Sequence, residues 1–200
     1  MTEPSGDLAG ERADAARNRA RLLEAAAWLV AERGAEHVTM REVAQVAGVG
    51  KGTLFRRFGD RNGLLLALLD DVEAEFYQAY TFGLPPLGPG APASDRLIAF
   101  GYALLERVSD PTDLGPALGR QVPTDRRRTS NYGRAFHLHV TSLLREAGVV
   151  GDHTMLAHAL LAFVDLETID HLRNDDQVIT ERLKATWADL VRRVTGAADF

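Results

Sequence analysis

The sequence of 200 residues contains no cysteine, and only two of its 23 basic residues, Lys51 and Lys184, are lysines. The absence of thiols excludes a disulfide scaffold, a thiolate zinc site, an iron–sulfur cluster and a cysteine nucleophile. No apolar run approaches the roughly 18 residues of a membrane-spanning helix. Residues 1–10 have neither the basic start nor the apolar middle of a secretory signal. We therefore expect a cytoplasmic protein with no membrane contact.

Charge is distributed unevenly along the chain. The net charge is −5, of which residues 1–11 contribute −3, residues 12–61 contribute +4 and residues 62–200 contribute −6. The negative total argues against a protein that coats nucleic acid, whereas the basic segment permits a local nucleic-acid contact. The pattern predicts a basic N-terminal module followed by an acidic remainder.

Hydrophobic spacing is helical throughout, with no alternating strand pattern and no internal repeat. Gly83–Pro92, with four prolines and three glycines, is the clearest boundary. The fold class predicted is all-α with about nine helices. Their predicted spans are 12–33, 39–47, 51–58, 60–82, 94–108, a short turn or helix at 117–121, then 124–147, 152–173 and 177–194. Thr39, Asp60 and Ser94 stand where N-caps are needed, and Glu42 completes a capping box with Thr39.

Residues 39–58 have the anatomy of a helix-turn-helix, in which two short helices are joined by a tight turn. The small side chain of Ala44 lets the two helices approach each other. Gly48 occupies the turn position that requires positive φ. Apolar contacts from Val43, Ala47, Val49 and Leu54 are expected to fix the angle between the helices.

The segment VTMREVAQVAGVGKGTLFRRFGDRNGLLLALL, which begins at Val38, resembles the DNA-binding head of the TetR family of transcriptional regulators. The resemblance covers about residues 17–70. It includes the threonine cap, the Ala-x-x-x-Gly-Val turn and the Lys-Gly-Thr-Leu-aromatic recognition helix. Phe55 replaces the family's usual tyrosine, which removes a hydroxyl group that commonly bonds a phosphate.

The resemblance implies a set of DNA-contacting residues. Lys51 and Arg41 are placed to read base edges, Gly52 lets the backbone come close, and Phe55 offers apolar contact to a sugar or thymine methyl. The remaining basic and hydroxyl groups suit phosphates, and Arg56 also reaches toward a base edge. The full set is Thr39, Arg41, Lys51, Gly52, Thr53, Phe55, Arg56, Arg57 and Arg61.

The resemblance also implies a domain plan. Residues 1–11 are expected to be a disordered tail, 12–60 the helix-turn-helix domain, 61–82 a connecting helix and 83–200 an effector-binding and dimerisation domain. Apolar residues on the last two predicted helices are candidates for a four-helix dimer interface or, alternatively, for the core of one chain. These residues are Leu156, Leu160, Phe163, Val164, Ile169, Leu183, Trp187, Leu190, Val191 and Val194.

A ligand pocket between the long helices is expected to be largely apolar with a few polar groups. His158 and Asp165, seven residues apart, are the one suggestive polar pairing. The candidate lining is Phe100, Tyr102, Leu104, Phe136, His137, Val140, Leu144, His158, Ala162 and Asp165. The alternative reading of these aromatic and aliphatic residues is plain core.

The sequence gives little support for a metal site or a catalytic site. His137 and His139 point to different faces of a helix, and Glu167 is followed three residues later by Asp170, where a di-iron bundle needs histidine. HExxH, GxSxG and phosphate-binding glycine loops are absent. Arg126–Arg128 is interpreted as a solvated helix start in preference to a contact with nucleic acid or an acidic ligand.

The sequence thus favours a homodimeric, ligand-responsive repressor that binds a palindromic DNA operator, with no enzymatic activity and no cofactor. The effector is expected to be a small molecule of unknown identity. A tilt of residues 60–80 is the expected link between ligand and DNA. Two alternatives stay open: a helical DNA-binding architectural protein without an effector, and a helical enzyme or metal carrier.

Overall fold

The computed structural model describes residues 7–110, 112–174 and 176–196. Within these ranges the chain forms eleven α-helices, a short 3-10 turn at Ala35–His37 and no β-strand, which confirms the all-α prediction. No helix there is long and apolar enough to cross a membrane. The helices are α1 (Asp7–Arg33), α2 (Met40–Val46), α3 (Lys51–Phe58), α4 (Arg61–Phe82), α5 (Ala93–Ser109), α6 (Leu114–Gly119), α7 (Thr124–Thr129), α8 (Asn131–Glu146), α9 (His153–Phe163), α10 (Leu166–Asn174) and α11 (Thr180–Thr195).

The chain divides into two compact units, an N-terminal unit up to Leu68 and a C-terminal unit from Leu69. The division falls inside α4, so the helix predicted as a separate connector contributes its first two turns to the N-terminal unit. Leu64, Leu65 and Leu68 of these turns are buried. The reason is that the apolar stripe of α4 starts directly at its N-terminus and must be covered from there on.

The start of α1 corrects one prediction. The helix begins at Asp7, so residues 7–11 are helical and not part of a disordered tail. Residues 1–6 of that predicted tail lie outside the described residues. The sequence DLAGE contains helix-compatible residues and continues directly into the alanine- and arginine-rich run, which explains the longer helix.

Two helices predicted as continuous are each interrupted. The span 124–147 divides at Ser130, whose backbone is extended and whose Oγ accepts a hydrogen bond from the Gly133 N–H (3.1 Å). The span 152–173 divides at Val164, where φ −98° and ψ 14° end α9. Apolar periodicity continues across both breaks, so the pattern alone could not reveal them.

The first residue of α5 also differs from the prediction. The helix begins at Ala93 behind Pro92, and the Pro92 carbonyl accepts from the Arg96 N–H (3.0 Å). Ser94 therefore lies inside the first turn and is not the cap. Proline is suited to this position because its fixed φ favours entry into a helix.

Arg61, the first residue of α4, ties the N-terminal unit together. Its Nε donates to the carbonyl oxygen of Val38 (2.8 Å) and its Nη2 to that of Ala35 (2.5 Å). These carbonyls lie in and after the 3-10 turn that precedes α2. The structure thus gives the guanidinium of Arg61 a role in the packing of this unit, and its predicted contact with a DNA phosphate stays a prediction.

The C-terminal unit is built around α5, α8, α9 and α11. Trp187 of α11 is fully buried, and its Nε1 donates to the carbonyl oxygen of Leu97 on α5 (3.1 Å). A Cβ atom on Gly101 would lie 2.0 Å from the Trp187 ring. The close approach of α5 and α11 therefore requires glycine at position 101.

The half-buried ring of His139 packs against aromatic rings of the same core. The ring centroid of His139 is 4.4 Å from that of Tyr80 and 5.0 Å from that of Phe100. Its Nε2 is buried without a hydrogen-bond partner among the described residues. Burial, together with the charge of Arg96, lowers the pKa of His139 from 6.5 to about 4. His139 is therefore neutral in the folded protein at neutral pH.

His139 makes stability depend on pH. Below its ordinary pKa of 6.5 the unfolded chain binds a proton at His139 that the folded chain does not bind until pH is about 4. The free energy of unfolding should therefore fall as the pH drops from 6.5 to 4, and His139→Phe should flatten this part of the curve. Thermal unfolding across this pH range measures the slope. His171→Gln, at an exposed histidine, is the control; equal slopes for wild type and His139→Phe would contradict the assignment.

Arg61 supports a second stability prediction. Arg61→Met leaves the carbonyl oxygens of Ala35 and Val38 without their charged donor, so we expect a loss of about 1–3 kcal/mol in the free energy of unfolding. Urea titration measures it. Arg57→Met, at an exposed position of α3, should change stability by less than about 0.5 kcal/mol. An Arg61→Met variant as stable as Arg57→Met would show that the two carbonyl bonds are dispensable.

Candidate nucleic-acid interface and ligand cavity

The capping box predicted for α2 is confirmed. The Thr39 Oγ1 donates to Glu42 Oε2 (2.6 Å) and accepts from the Glu42 N–H (3.3 Å), while the Thr39 N–H donates to Glu42 Oε2 (3.2 Å). The Thr39 hydroxyl bond lowers the pKa of Glu42, with help from the Thr39 N–H and Arg33. The exposed Arg41, which follows directly, is thus carried by a well-fixed first turn.

The turn between α2 and α3 has the backbone that the sequence predicts. Gly48 has φ +65°, and the Val49 N–H donates to the Ala44 carbonyl (3.0 Å). From α1, Arg21 Nη2 donates to the Ala47 carbonyl (2.8 Å). Since Ala44 and Ala47 are buried, the small side chains allow α2 and α3 to pack closely.

α3 presents most of the predicted base- and phosphate-contacting groups to solvent. Leu54 is fully buried and anchors the helix. Lys51, Gly52, Phe55 and Arg56 are exposed and, at spacings of one, four and five residues, share one side of α3. Phe55 is 47% exposed.

The remaining residues that are predicted to contact DNA differ in their exposure to solvent. Arg57 is exposed and Thr53 is half-buried. Val46, at the end of α2, is also exposed.

A cavity of about 340 Å³ lies within the C-terminal unit. Six of the predicted ligand-binding residues line it, namely Leu104, Phe136, His137, His158, Ala162 and Asp165. Four do not. Phe100, Val140 and Leu144 are fully buried in the core. The Lys184 Nζ atom lies over the ring of Tyr102, 5.7 Å from the centroid of that ring. These four are on other sides of α5 and α8, which side-chain type alone cannot distinguish.

Arg107, which the sequence reasoning missed, crosses one wall of the cavity. Its guanidinium donates twice to Glu73 (2.6 and 3.0 Å) and twice to Asp113 (2.7 and 3.1 Å). Glu73 is only 5% exposed, and burial raises its pKa although Arg107 acts in the opposite direction. Both residues interrupt the apolar stripes of α4 and α5, which is the signal that could have identified them.

Arg127 forms a second polar wall and corrects the expectation of a solvated helix start. It is 6% exposed. Its Nη1 donates to the carbonyls of Gly119 and Val122, and its Nη2 donates to Glu167 (2.6 and 2.8 Å). Arg128 is exposed as expected, while Arg127 turns inward because α7 ends at Thr129 and Ser130 starts a new helix.

Asp165 lies at the break between α9 and α10 and faces the cavity. Its ion pairs are long, 3.5 Å to Arg127 Nη2 and 4.0 Å to Arg128 Nη2. Burial and the neighbouring Glu167 raise the pKa of Asp165 to about 6. Despite partial burial, hydrogen bonds from Asp165, Arg127 and Thr124 lower the pKa of Glu167.

The prediction that His137 and His139 point to different faces of one helix is confirmed, since His137 lines the cavity and His139 contacts the aromatic rings of the core. The ring of His137 is 4.1 Å from that of His158 across the cavity wall. Among the described residues, no group of three or more histidine and acidic side chains is arranged to hold a metal ion.

Most residues proposed for dimerisation are committed to the core of a single chain. Leu160, Val164, Ile169, Leu183, Trp187 and Val191 are buried in the C-terminal unit and cannot contact a partner. Leu156, Phe163, Leu190 and Val194 are only partly buried. The apolar stripes of α9 and α11 are therefore mainly intrachain, because α11 packs on α5 and α9 packs on α8.

Comparison with known proteins finds a segment of the N-terminal unit similar to a known family. Residues 22–68 match the sequence model of the bacterial regulatory proteins of the tetR family. An HTH-type transcriptional regulator of Staphylococcus aureus strain USA300 is 43% identical over 53 residues, and so is one from strain NCTC 8325. The matched segment covers 26% of this chain and 29% of each relative.

Solved structures extend the likeness to the whole fold. A TetR transcriptional regulator from Rhodococcus sp. RHA1 aligns over 93% of this chain and 99% of its own, with TM-score 0.62 and 19% identity. RolR in complex with resorcinol aligns over 91% and 94%, with TM-score 0.66 and 21% identity. FadR from Bacillus subtilis in complex with stearoyl-CoA aligns over 88% and 97%, with TM-score 0.58 and 19% identity.

Residues 22–68 of this chain are thus similar to the bacterial regulatory proteins of the tetR family, and the fold of the described residues resembles that of solved TetR-family regulators.

Proposed function

We propose that the protein is a transcriptional regulator that binds operator DNA through α2 and α3 and responds to a small molecule in the cavity of the C-terminal unit. The observation that carries the proposal is the exposed side of α3, where Lys51, Gly52, Phe55 and Arg56 follow a capped α2 and a tight turn. A helix-turn-helix of this kind places the start of its second helix against base edges in the major groove.

The cavity supports the ligand-responsive part of the proposal. Its volume of about 340 Å³ is in the range of small-molecule sites, and its lining combines apolar side chains with a few polar groups. The relatives named above were crystallised with resorcinol and with stearoyl-CoA. We infer that this chain also binds an effector there, with repression as its default action and without catalysis.

α4 provides a physical route from the cavity to the DNA-binding unit. Glu73 and Leu69 line the cavity, and the same continuous helix begins at Arg61, which is bonded to Ala35 and Val38. A ligand that moves Glu73 would therefore tilt the start of α4 and alter the N-terminal unit attached to it.

The DNA-binding proposal predicts two kinds of mutational effect. In a genomic-fragment binding selection with purified protein, we expect a palindromic motif. Lys51→Ala and Arg41→Ala should each cost about 1–3 kcal/mol and relax the preference at one position. Arg57→Ala should instead weaken binding to all fragments alike and reduce the salt slope by about 1.

Arg193→Ala, at an exposed arginine of α11, is the matched control and should leave the motif and the affinity unchanged. If no motif is enriched at moderate salt, the regulator proposal fails. If binding is tight but indifferent to sequence, the architectural alternative is favoured.

We further propose that the protein acts as a homodimer, since two recognition helices that read a palindrome must be about 34–36 Å apart. The outer side of α9 carries Met155, which is 62% exposed, together with the exposed Ala159 and Ala162. These residues, with the partly buried Leu156 and Phe163, are the revised candidates for the interface. Their spacing of four and three residues makes a continuous apolar stripe.

Placing a charge in this stripe should weaken the dimer. Met155→Glu adds a carboxylate to an apolar contact, so we expect the dissociation constant to rise by about tenfold or more. Sedimentation equilibrium measures the change. Ser142→Glu, on an exposed position of α8, is the control; a Met155→Glu protein that dimerises as tightly as wild type would place the interface elsewhere.

A further inference from the structure

The ionisable side chains that line the cavity have their partners within the protein or are exposed to solvent. The lining includes three arginines, two histidines and two carboxylates. Their partners decide what charge a ligand can meet, because a buried ion that is already paired binds another ion only by giving up its first partner. The seven residues are Arg107, Arg127, Arg128, His137, His158, Glu73 and Asp165.

Arg107 and Glu73 neutralise each other on one wall. Arg107 Nη1 donates to Glu73 Oε2 (2.6 Å) and Nη2 donates to Glu73 Oε1 (3.0 Å), so both carboxylate oxygens accept a hydrogen bond. Arg107 Nε and Nη2 also donate to Asp113 (2.7 and 3.1 Å). An anion would therefore have to replace a carboxylate at Arg107, and a cation would have to draw Glu73 away from Arg107.

Arg127 is paired in a similar way on a second wall. Its Nη1 donates to the carbonyl oxygens of Gly119 and Val122, and its Nη2 donates to both carboxylate oxygens of Glu167 (2.8 and 2.6 Å). Asp165 is hydrogen-bonded to Glu167 and lies 3.5 Å from Arg127 Nη2. A charged ligand at this wall would compete with bonds that the chain already makes.

The other three basic side chains of the lining are exposed or bonded to the backbone. The Arg128 side chain is 62% exposed, and its Nη2 is 4.0 Å from Asp165. His158 is exposed, and the Nε2 atom of the half-buried His137 is 3.2 Å from the Thr154 carbonyl oxygen. Because water and salt screen exposed charges, Arg128 and His158 add little attraction for an ion inside the cavity.

Most of the remaining lining is apolar or aromatic. Leu104, Leu161 and Val164 contribute aliphatic side chains, and the rings of Tyr132 and Phe136 have centroids 5.6 Å apart. Burial raises the pKa of the Tyr132 hydroxyl, so this group is uncharged at neutral pH. A ligand without charge can contact these side chains and leave every ion pair of the walls intact, whereas a charged ligand would lose its hydration without gaining a counter-ion.

We propose that the cavity selects uncharged organic ligands of about the size of one substituted ring, with the ligand body against Leu104, Phe136 and Leu161, and rejects cations and anions of the same shape. This inference rests on the proposed function in taking the cavity as the effector site. It adds the charge class of the effector, which the likeness to other regulators does not specify.

Two matched pairs of probes test the charge preference. One pair is 4-butylbenzyl alcohol and 4-butylbenzylamine, and the other is 4-butylbenzamide and 4-butylbenzoate. At neutral pH the amine is a cation and the benzoate is an anion. Isothermal titration of the full-length protein without DNA should show each uncharged probe binding at least about tenfold more tightly than its charged counterpart. A smaller preference in either pair, or failure of both uncharged probes to bind, would overturn the proposal.

The variant Arg107→Gln tests whether pairing within the protein causes the preference. It leaves Glu73 and Asp113 without their positive partner, so the affinity for the amine should rise by about tenfold or more while that for the alcohol changes by less than about threefold. Arg193→Gln, at an exposed arginine of α11, is the matched control and should change neither affinity.

Circular dichroism and thermal unfolding establish whether each variant is folded. A folded Arg107→Gln protein that binds the amine no better than wild type would contradict the role of the ion pairs. If Arg107→Gln does not fold, the two probe pairs on the wild-type protein decide the proposal.

Because these titrations contain no DNA, they are independent of the operator selection. Absence of a charge preference in a protein with an intact operator motif would refute the ligand class and leave the regulator proposal standing. A cavity that selects uncharged probes in a protein that enriches no DNA motif would refute the regulator and leave the ligand class standing.

Discussion

Two arginine side chains, Arg127, which is buried, and Arg107, which is half-buried, link the helices of the C-terminal unit. A guanidinium group removed from water must be paired and hydrogen-bonded, and breaking such a pair typically costs about 3–5 kcal/mol. Arg107 satisfies this requirement by joining α5 to Glu73 of α4 and to Asp113 before α6. Arg127 does so by joining α7 to Glu167 of α10 and to the carbonyls that end α6. These bonds link α4, α5, α6, α7 and α10, and residues of these helices line the cavity together with residues of α8 and α9.

The same charges connect packing to function. Because Glu73 and Asp165 face the cavity while bonded to or near these arginines, a ligand that contacts them also acts on the elements that the arginines fasten. α4 is one of these elements, and it continues toward the N-terminus as part of the unit that carries α2 and α3.

The N-terminal unit could be predicted almost residue by residue because its determinants are local. The Thr39 and Glu42 capping box, the positive φ of Gly48 and the burial of Val43 and Leu54 all depend on neighbours within a few positions. Arg61 is the exception. Its partners, Ala35 and Val38, are 26 and 23 residues earlier, and no local pattern distinguishes an arginine that binds carbonyls from one that binds phosphate. Such long-range hydrogen bonds are visible only in the folded chain.

The sequence by itself determined the helical class, the helix-turn-helix, its exposed basic residues and the break at Gly83–Pro92. These features depend on hydrophobic periodicity, capping and turn chemistry, which involve only residues close together in the sequence. Only the tertiary structure decided which apolar stripes are core. Trp187 and Leu160 are enclosed by helices distant in sequence and are unavailable to a partner. It also decided that Arg127 and Glu73 face a cavity. From the sequence alone, a charged residue on a helix is predicted to be exposed to solvent, because the helix that packs against it is not known. Pairing between elements, which sequence spacing does not encode, is the physical reason for the difference.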